Sequence, residues 1–183
     1  MKSPVPRTNT VHLVLEDLVK RNEKKLADKK IKIVKKQYEK DLPETSVQDE
    51  ELKYILNWII QYAITSVPSG GTIGFLTRSF DPQDIRDDIK PSLHRDGRYL
   101  EILVAFGANG NGKSNEQSLS ALELQTVHRE NGNSLILPLV EEIVQKNLGI
   151  MKSKVDPEKH LTQISLILPS DRRKVVRYQP GLA

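Results

Sequence analysis

The segment GANGNGKS, from Gly107 to Ser114, has the residue types and the spacing of a phosphate-binding loop. It matches the pattern G-x-x-x-x-G-K-[ST] and follows an apolar run typical of a strand. In such a loop the backbone amides between Gly107 and Gly112 surround a phosphate group, Lys113 contacts its oxygens, and the hydroxyl of Ser114 holds Mg²⁺. The pattern therefore supports a P-loop nucleotide binder as one hypothesis.

The residues around this loop favour a different role. Polar side chains occupy much of residues 115–125, where a helix packed on a sheet would need apolar ones. The sequence shows no later strand that ends in a metal-binding aspartate, since Asp171 lies beyond Pro169. About a hundred residues also precede the motif. We therefore treat the P-loop as an alternative, together with an anion held by these amides within another fold.

The four histidines do not have the spacing of a metal site. They lie far apart, at His12, His94, His128 and His160, and the chain contains no cysteine. We expect them to be surface or structural residues. Without cysteine, neither a disulfide framework nor a thiolate metal site can form.

The long amphipathic helix predicted over residues 49–67 carries two non-polar stripes. The core-facing stripe recurs at helical spacing and contains Leu52, Ile55, Leu56, Ile59, Ile60, Ala63 and Ile64. The second stripe lies roughly opposite, at about 100° per residue, and contains Tyr54, Trp58, Tyr62 and Thr65. A turn with the sequence Pro-Ser-Gly-Gly follows. A helix with an aromatic second face is expected to make a second contact, with a ligand, a partner or the protein itself.

The remaining elements follow from apolar spacing and from helix-capping signals. A first helix is predicted from Thr10, as its cap, to about Ala27, and a last helix from Leu135 to Leu148, closed by Gly149. Five strands are predicted over residues 30–34, 72–79, 99–106, 150–155 and 161–168, the last two paired. Polar loops are predicted at 80–98 and 107–132, the second with a short helix near 119–127. The inward-facing helix residues are predicted to be Val11, Val14, Leu15, Leu18, Leu26, Ile136, Leu139, Val140, Ile143 and Val144.

This order of elements predicts an α/β two-layer sandwich. We expect a mixed, mostly antiparallel sheet of about five strands with three helices on one face. At 183 residues the chain is long enough for one domain with a substantial core, over about residues 10–170, and a basic tail over 171–183.

The charge pattern points away from nucleic acids and membranes. The formal net charge of +4 is concentrated in the lysine-rich residues 20–36 and in the tail. No nucleic-acid motif accompanies these lysines, so we interpret the first run as a solvated helix end and an edge strand that lysines protect from pairing. No apolar run approaches a membrane span of ~20 residues, and the N-terminus lacks the apolar stretch of a signal peptide. We expect a cytoplasmic protein.

Taken in order, these segments resemble the ATP-binding catalytic domain of sensor histidine kinases, of the GHKL or Bergerat type. The resemblance covers about residues 10–170. EELKYILNWIIQYAITSVPSGG aligns without a gap to the family pattern around N-x-x-x-N-A-x-K, ending in P-x-G-G. GNSLILPLVEEIVQKNLGIM aligns to the second glycine box, G-T-G-L-G-L-x-I-V, and HLTQISLILP resembles the closing strand. The resemblance implies the kinase-type fold.

The nucleotide-binding residues of that family are replaced here. In the family, helix asparagines hold magnesium and phosphate, and an aspartate in D-x-G-x-G accepts a hydrogen bond from adenine. Trp58 and Tyr62 fall on the asparagine positions, whereas a shift by one residue would place Asn57 and Gln61 there but break the match to the turn. The other pocket-equivalent positions are Thr65 for a basic residue, Phe106 for the aspartate, Ala108, Gly110, Gly132, Ser134 and Ile136 for glycine-box positions, and Thr162 for a threonine near adenine.

These replacements predict loss of ATP binding. Each charge-assisted hydrogen bond contributes about 1.5–3 kcal/mol, so losing the adenine acceptor and the metal ligand costs about 3–6 kcal/mol, or 10²–10⁴ in affinity. Tyrosine and tryptophan also cannot replace an amide oxygen as a ligand of Mg²⁺. We expect the aromatic stripe to fill the ancestral pocket.

The resemblance thus implies a degenerate ATPase-like domain of a two-component signalling protein. None of the histidines lies in the His-Glu-rich helix pair that carries the phosphorylated histidine in the family. We expect no catalytic residues and no cofactor or metal, and a role in interaction or dimerisation. The partner would be a second copy or the rest of a sensor kinase. The alternatives are a functional histidine kinase domain that binds ATP and Mg²⁺, and the P-loop binder.

Overall fold

Five strands form one mixed sheet in the order β1-β2-β3-β5-β4. The computed structural model describes residues 9–81, 97–108 and 136–171. The strands are β1 (Lys32–Tyr38), β2 (Thr72–Phe80), β3 (Tyr99–Gly107), β4 (Ile150–Asp156) and β5 (Leu161–Pro169). β1 runs parallel to β2, and every other pair is antiparallel. The predicted mixed, mostly antiparallel sheet and the pairing of the last two strands are confirmed.

The lysine-rich strand is an edge strand, as its composition predicts. β1 pairs only with β2 within the described sheet, and an irregularity in the pairing falls between Ile33 and Lys35. The strand begins and ends later than predicted, at Lys32 and Tyr38 instead of residues 30 and 34. Ile31, just before it, is buried in the core, so the apolar alternation starts before the pairing does.

The first predicted helix is two helices, α1 (Thr10–Arg21) and α2 (Glu23–Asp28). Asn22 ends α1, because its side-chain amide and its backbone N–H both donate to the carbonyl oxygen of Leu18. Such local side-chain bonds compete with helix continuation. The predicted cap was wrong by one residue: Asn9 caps α1 through Val11 N, and Thr10 is the first helical residue.

Helix α3 (Asp49–Ser66) contacts α1 and the last helix, α4 (Ile136–Lys146), and forms much of the core. All seven residues of its predicted core stripe are buried. Three acidic residues in its first turn, Asp49 to Glu51, complement the helix dipole. The core cluster joins this stripe to the inward residues of α1 and to residues of β2, β3 and β5. One face of the sheet therefore carries the helices.

Helix α4 buries a narrower stripe than predicted. Val140 and Val144 are fully buried, but Leu139 is 47% exposed, so its predicted inward position was wrong. The helix also ends differently, because Leu148 rather than Gly149 takes the left-handed conformation, with φ 58°. Gly149 instead allows close packing, since a Cβ atom there would lie 2.8 Å from the carbonyl oxygen of Ile167.

Candidate functional site

Tyr62 and Phe106, two of the positions that the sequence resemblance assigns to the nucleotide pocket, are in direct contact. Their ring centroids are 5.9 Å apart and the rings are nearly perpendicular, at 81°. Phe106 is 2% exposed and belongs to the core cluster, and Tyr62 packs against that cluster while partly exposed. A phenylalanine ring, unlike an aspartate, offers no oxygen that could accept a hydrogen bond.

The sheet register places Thr162 beside Phe106. Phe106 of β3 pairs with Ile73 of β2 on one side and with Thr162 of β5 on the other. Thr162 in turn pairs with Val155 of β4. Because residues directly opposite in a sheet project to the same face, these side chains share the helix-bearing face with Tyr62. The structure thus brings together three of the predicted pocket positions: Tyr62, Phe106 and Thr162.

The other two positions on α3 lie away from this contact. Trp58 packs edge-on against Tyr54, with ring centroids 6.0 Å apart, and is half-buried against the core. Thr65 is exposed, and its hydroxyl donates to the carbonyl oxygen of Gln61 within the helix. Gln61, which the shifted alignment would place in the site, contacts Asn22 and Lys25 instead.

A cavity of about 300 Å³ lies next to Phe106, at the end of the sheet. Its lining is mostly apolar and comes from the end of α3, the end of β3 and the β4–β5 turn. The lining residues are Ser66, Pro68, Phe106, Gly107, Ala108, Val155, Asp156, Pro157, His160 and Thr162. Its volume is at the lower end of the range for small-molecule sites, so it could hold a ring system.

Polar groups are few in this cavity and partly engaged. Asp156 accepts a hydrogen bond from the backbone N–H of Lys159 at 3.1 Å, and its other oxygen lies 3.8 Å from the ammonium of Lys159. His160 is exposed and has φ 48° in the turn. The sequence did not point to the turn residues Asp156, Pro157 and His160, because the pairing of β3 with β5, which brings this turn beside Phe106, joins segments far apart in the chain.

Gly107, the first glycine of the P-loop pattern, is the last residue of β3. A Cβ atom there would lie 2.1 Å from the carbonyl oxygen of His160, so close backbone approach accounts for this glycine. β3 is antiparallel to both of its neighbours, whereas a P-loop follows a strand of a parallel sheet. The strand context of the motif therefore differs from that of a P-loop protein.

The end of α3 is held by Lys29, which follows α2. Its ammonium donates to the carbonyl oxygens of Ile64, Thr65 and Val67 at 2.7, 3.2 and 3.0 Å. The carbonyl oxygen of Lys29 accepts hydrogen bonds from Ser69 and Gly70 in the turn. These bonds fix the turn between α3 and β2 where it borders the cavity.

Several predicted site residues lie outside the described residues, as do His94 and His128. They are Gly110, Gly112, Lys113, Ser114, Gly132 and Ser134. The predicted helix at 119–127, most of both polar loops and most of the basic tail also lie outside. Of the remaining predicted positions, Ile136 begins α4 and packs against the core, and Ala108 lines the cavity.

No group of histidine, aspartate and glutamate side chains in the described ranges has the arrangement of a metal site. His12 is a buried residue of α1, and His160 lies in the β4–β5 turn beside the cavity. Over the same residues, no helix is long and apolar enough to cross a membrane.

Comparison with known proteins supports the fold through structure alone. No protein-family model matches the sequence, and no curated protein sequence matches it either. The mycobacterial sensor histidine kinase MprB has a TM-score of 0.53 at 18% identity, over 88% of this chain and 93% of that chain. The catalytic domain of histidine kinase ThkA has a TM-score of 0.57 at 13% identity, over 87% and 93%.

A third solved structure extends this result. Full-length ShkA in complex with AMPPNP has a TM-score of 0.60 at 13% identity, over 93% of this chain and 32% of that chain. The chain therefore has the GHKL-type ATPase fold of histidine kinase catalytic domains, as its sequence resemblance implies.

Proposed function

We propose that this chain is a signalling domain with a degenerate ATP site, which binds ATP weakly or not at all and acts by contacting another protein. The contact between Tyr62 and Phe106 carries the proposal. By the sequence resemblance, Tyr62 stands at the position of an amide ligand of magnesium and Phe106 at the position of the carboxylate that accepts from adenine, and two aromatic rings packed on each other would not perform either role. The fold supports a two-component context, in which such domains work as parts of sensor kinases.

The expected loss of ATP affinity follows from the two contacts that would be missing. Losing the adenine acceptor and one magnesium ligand costs about 3–6 kcal/mol, which weakens binding by about 10²–10⁴-fold. Phe106 is buried in the core and pairs edge-on with Tyr62, so it is held away from solvent and offers no compensating polar group.

Calorimetric titration of the full chain with ATP and Mg²⁺ tests this proposal. We expect no saturation below millimolar ATP, and a specific micromolar interaction would contradict the proposal. If such binding appeared, Lys113→Ala and Tyr62→Ala would assign it to the P-loop motif or to the kinase-type site respectively. Tyr54→Ala is a matched control, because Tyr54 lies on the same helix but is 41% exposed.

A functional ATP-binding domain is the second candidate, because a cavity remains beside Phe106. Thr162, which the resemblance aligns with a threonine near adenine in the family, lines this cavity. Asp156 of β4 adds a carboxylate to the lining. Under this alternative, Asp156→Asn would weaken ATP binding while leaving the fold intact.

The protein contact is proposed for the exposed flank of α3. Tyr54 is 41% exposed and meets Trp58 edge-on, and aromatic residues of this kind are enriched in interfaces. The proposed partner is a second copy of the chain. Sedimentation of the wild type and of Tyr54→Lys tests this, with Leu13→Lys as control, since Leu13 is similarly exposed on α1. We expect Tyr54→Lys to convert the proposed dimer into monomers and Leu13→Lys to leave the dimer intact.

A further inference from the structure

A buried histidine joins α1 to the sheet in this domain. The ring of His12 stacks on that of Tyr38 in β1, with centroids 4.7 Å apart and planes within 11°. Its Nε2 atom is hydrogen-bonded to Thr77 Oγ1 of β2 at 2.9 Å. His12 is only 9% exposed. A titratable side chain thus forms the contact between the first helix and two strands.

Three carboxylates face this histidine from different elements, and each is held in place. Glu16, one turn later on α1, is paired with Lys36 of β1 at 2.8 Å. Glu39, just after β1, is hydrogen-bonded to Ser79. Glu44 accepts hydrogen bonds from the backbone N–H of Thr10, at the start of α1. With Lys36 as the only ammonium described in this cluster, the surroundings of His12 are net negative.

Burial and charge act in opposite directions on His12. Burial lowers its pKa below the ordinary value of 6.5, whereas Glu44, Glu39 and Glu16 each raise it without overcoming burial. Burial alone would raise the pKa of Glu16, but Lys36 and the neighbouring Tyr38 hydroxyl favour its charged form, and its pKa is lowered. Burial, followed by the nearby Glu16, raises the pKa of Tyr38, which therefore stays neutral.

We propose that His12 is a proton-sensitive contact, which holds α1 on the sheet while the imidazole is neutral and loosens α1 when it is protonated. In the open arrangement the ring is hydrated. Hydration removes the penalty of burial, so the imidazole again binds a proton with its ordinary affinity. Protonation therefore shifts the population toward the open arrangement.

The direction of the pH effect follows from linkage. Because the closed state binds the proton less tightly than the open state, the stabilisation of α1 is fully present above the ordinary pKa of 6.5. It is lost as the pH falls below that value, through the lowered pKa of the closed state. The ratio of open to closed molecules changes about tenfold for each unit that separates the two pKa values.

Hydrogen exchange of the full chain tests the proposal at about pH 7.5 and about pH 5.5, on either side of the ordinary histidine range. After correction for intrinsic exchange rates, we expect the amides of Leu15 and Leu18 in α1 to lose protection at the lower pH. The amides of Ile102 and Val104, in the central strand, are expected to keep theirs. His12→Gln keeps a hydrogen-bonding side chain without the titration and is expected to abolish the change.

His160→Asn is the matched control. His160 is exposed, and its backbone has the left-handed conformation, which asparagine tolerates. The variant therefore removes a histidine at a site distant from α1. It is expected to behave like the wild type. Equal loosening of α1 in His12→Gln, or none in the wild type, would overturn the proposal. Should His12→Gln fail to fold, an NMR titration of His12 in the wild type decides, since a pKa at or above 6.5 also overturns it.

Discussion

The ring of Tyr62 meets the ring of Phe106 edge-on, with centroids 5.9 Å apart and an angle of 81° between the planes. This contact links the middle helix to the central strand. Phe106 belongs to the hydrophobic core and Tyr62 packs against that core, so the contact is part of what holds α3 on the sheet. Substitutions in this contact, and in the features that position it, should therefore change stability by measurable amounts.

The Tyr62–Phe106 contact should be visible as a coupling energy. Replacing either residue with leucine loses the edge-to-face geometry, and a double-mutant cycle is expected to give a coupling of about 0.5–1.5 kcal/mol. Urea denaturation of the four proteins measures it. The pair Tyr54→Leu and Phe106→Leu is the control, since exposed Tyr54 should show no coupling to Phe106.

Gly107→Ala should destabilise the fold strongly. The added methyl would lie 2.1 Å from the carbonyl oxygen of His160, so the β4–β5 turn must move. We expect a loss of about 3 kcal/mol, at the upper end of overpacking costs, in thermal or urea unfolding. Gly70→Ala meets no atom within 4 Å but has φ 81°. Its cost should therefore be limited to about 1–2 kcal/mol. Equal costs would contradict this explanation.

Lys29→Met should lower stability through the end of α3. The substitution keeps most of the side-chain length but removes the ammonium that binds the carbonyl oxygens of Ile64, Thr65 and Val67. Charge-assisted bonds and the helix dipole both contribute, and partial exposure reduces them, so we expect a loss of about 1–2 kcal/mol. Urea unfolding measures it. The exposed Lys24→Met should change stability by less than about 0.5 kcal/mol.

The single variant Arg78→Met should lose more free energy of unfolding than the double variant that combines Arg78→Met with Glu101→Gln. Glu101 is 3% exposed, and its carboxylate accepts hydrogen bonds from Arg78 Nε at 2.5 Å and from Ser165 Oγ. Removing the arginine leaves a buried carboxylate without its counter-charge, at a cost of about 1–3 kcal/mol. In the double variant, a neutral side-chain amide replaces this carboxylate and can still accept from Ser165, so denaturation should show recovery. A double variant no more stable than the single one would refute this.

The sequence alone predicts the architecture because its apolar periods are long and regular. The seven-residue stripe of α3 specifies which of its side chains are buried, and the structure buries them as predicted. The edge position of β1 also follows from its lysines. These features depend on hydrophobic burial, and the spacing of apolar residues along the sequence predicts which side chains are buried.

The errors lie where a single tertiary contact outweighs a local pattern. Asn22 reads as one more residue of a continuous helix, but it ends α1 and binds Gln61 of α3. Leu139 has the period of a core residue, yet the narrow contact of α4 leaves it 47% exposed. Leu148 takes the left-handed conformation beside a glycine that close packing requires.

The sequence by itself thus predicted the fold, and its resemblance assigned Trp58, Tyr62 and Phe106 to the family's asparagine and aspartate positions. The tertiary structure decided which of these meet. Tyr62 packs on Phe106 of β3, whereas Trp58, one helical turn earlier, packs on Tyr54 of its own helix. Tertiary packing likewise buries His12 of α1 against Tyr38 of β1 and Thr77 of β2, and Thr77 is 65 positions away in the sequence, so no local period predicts the contact.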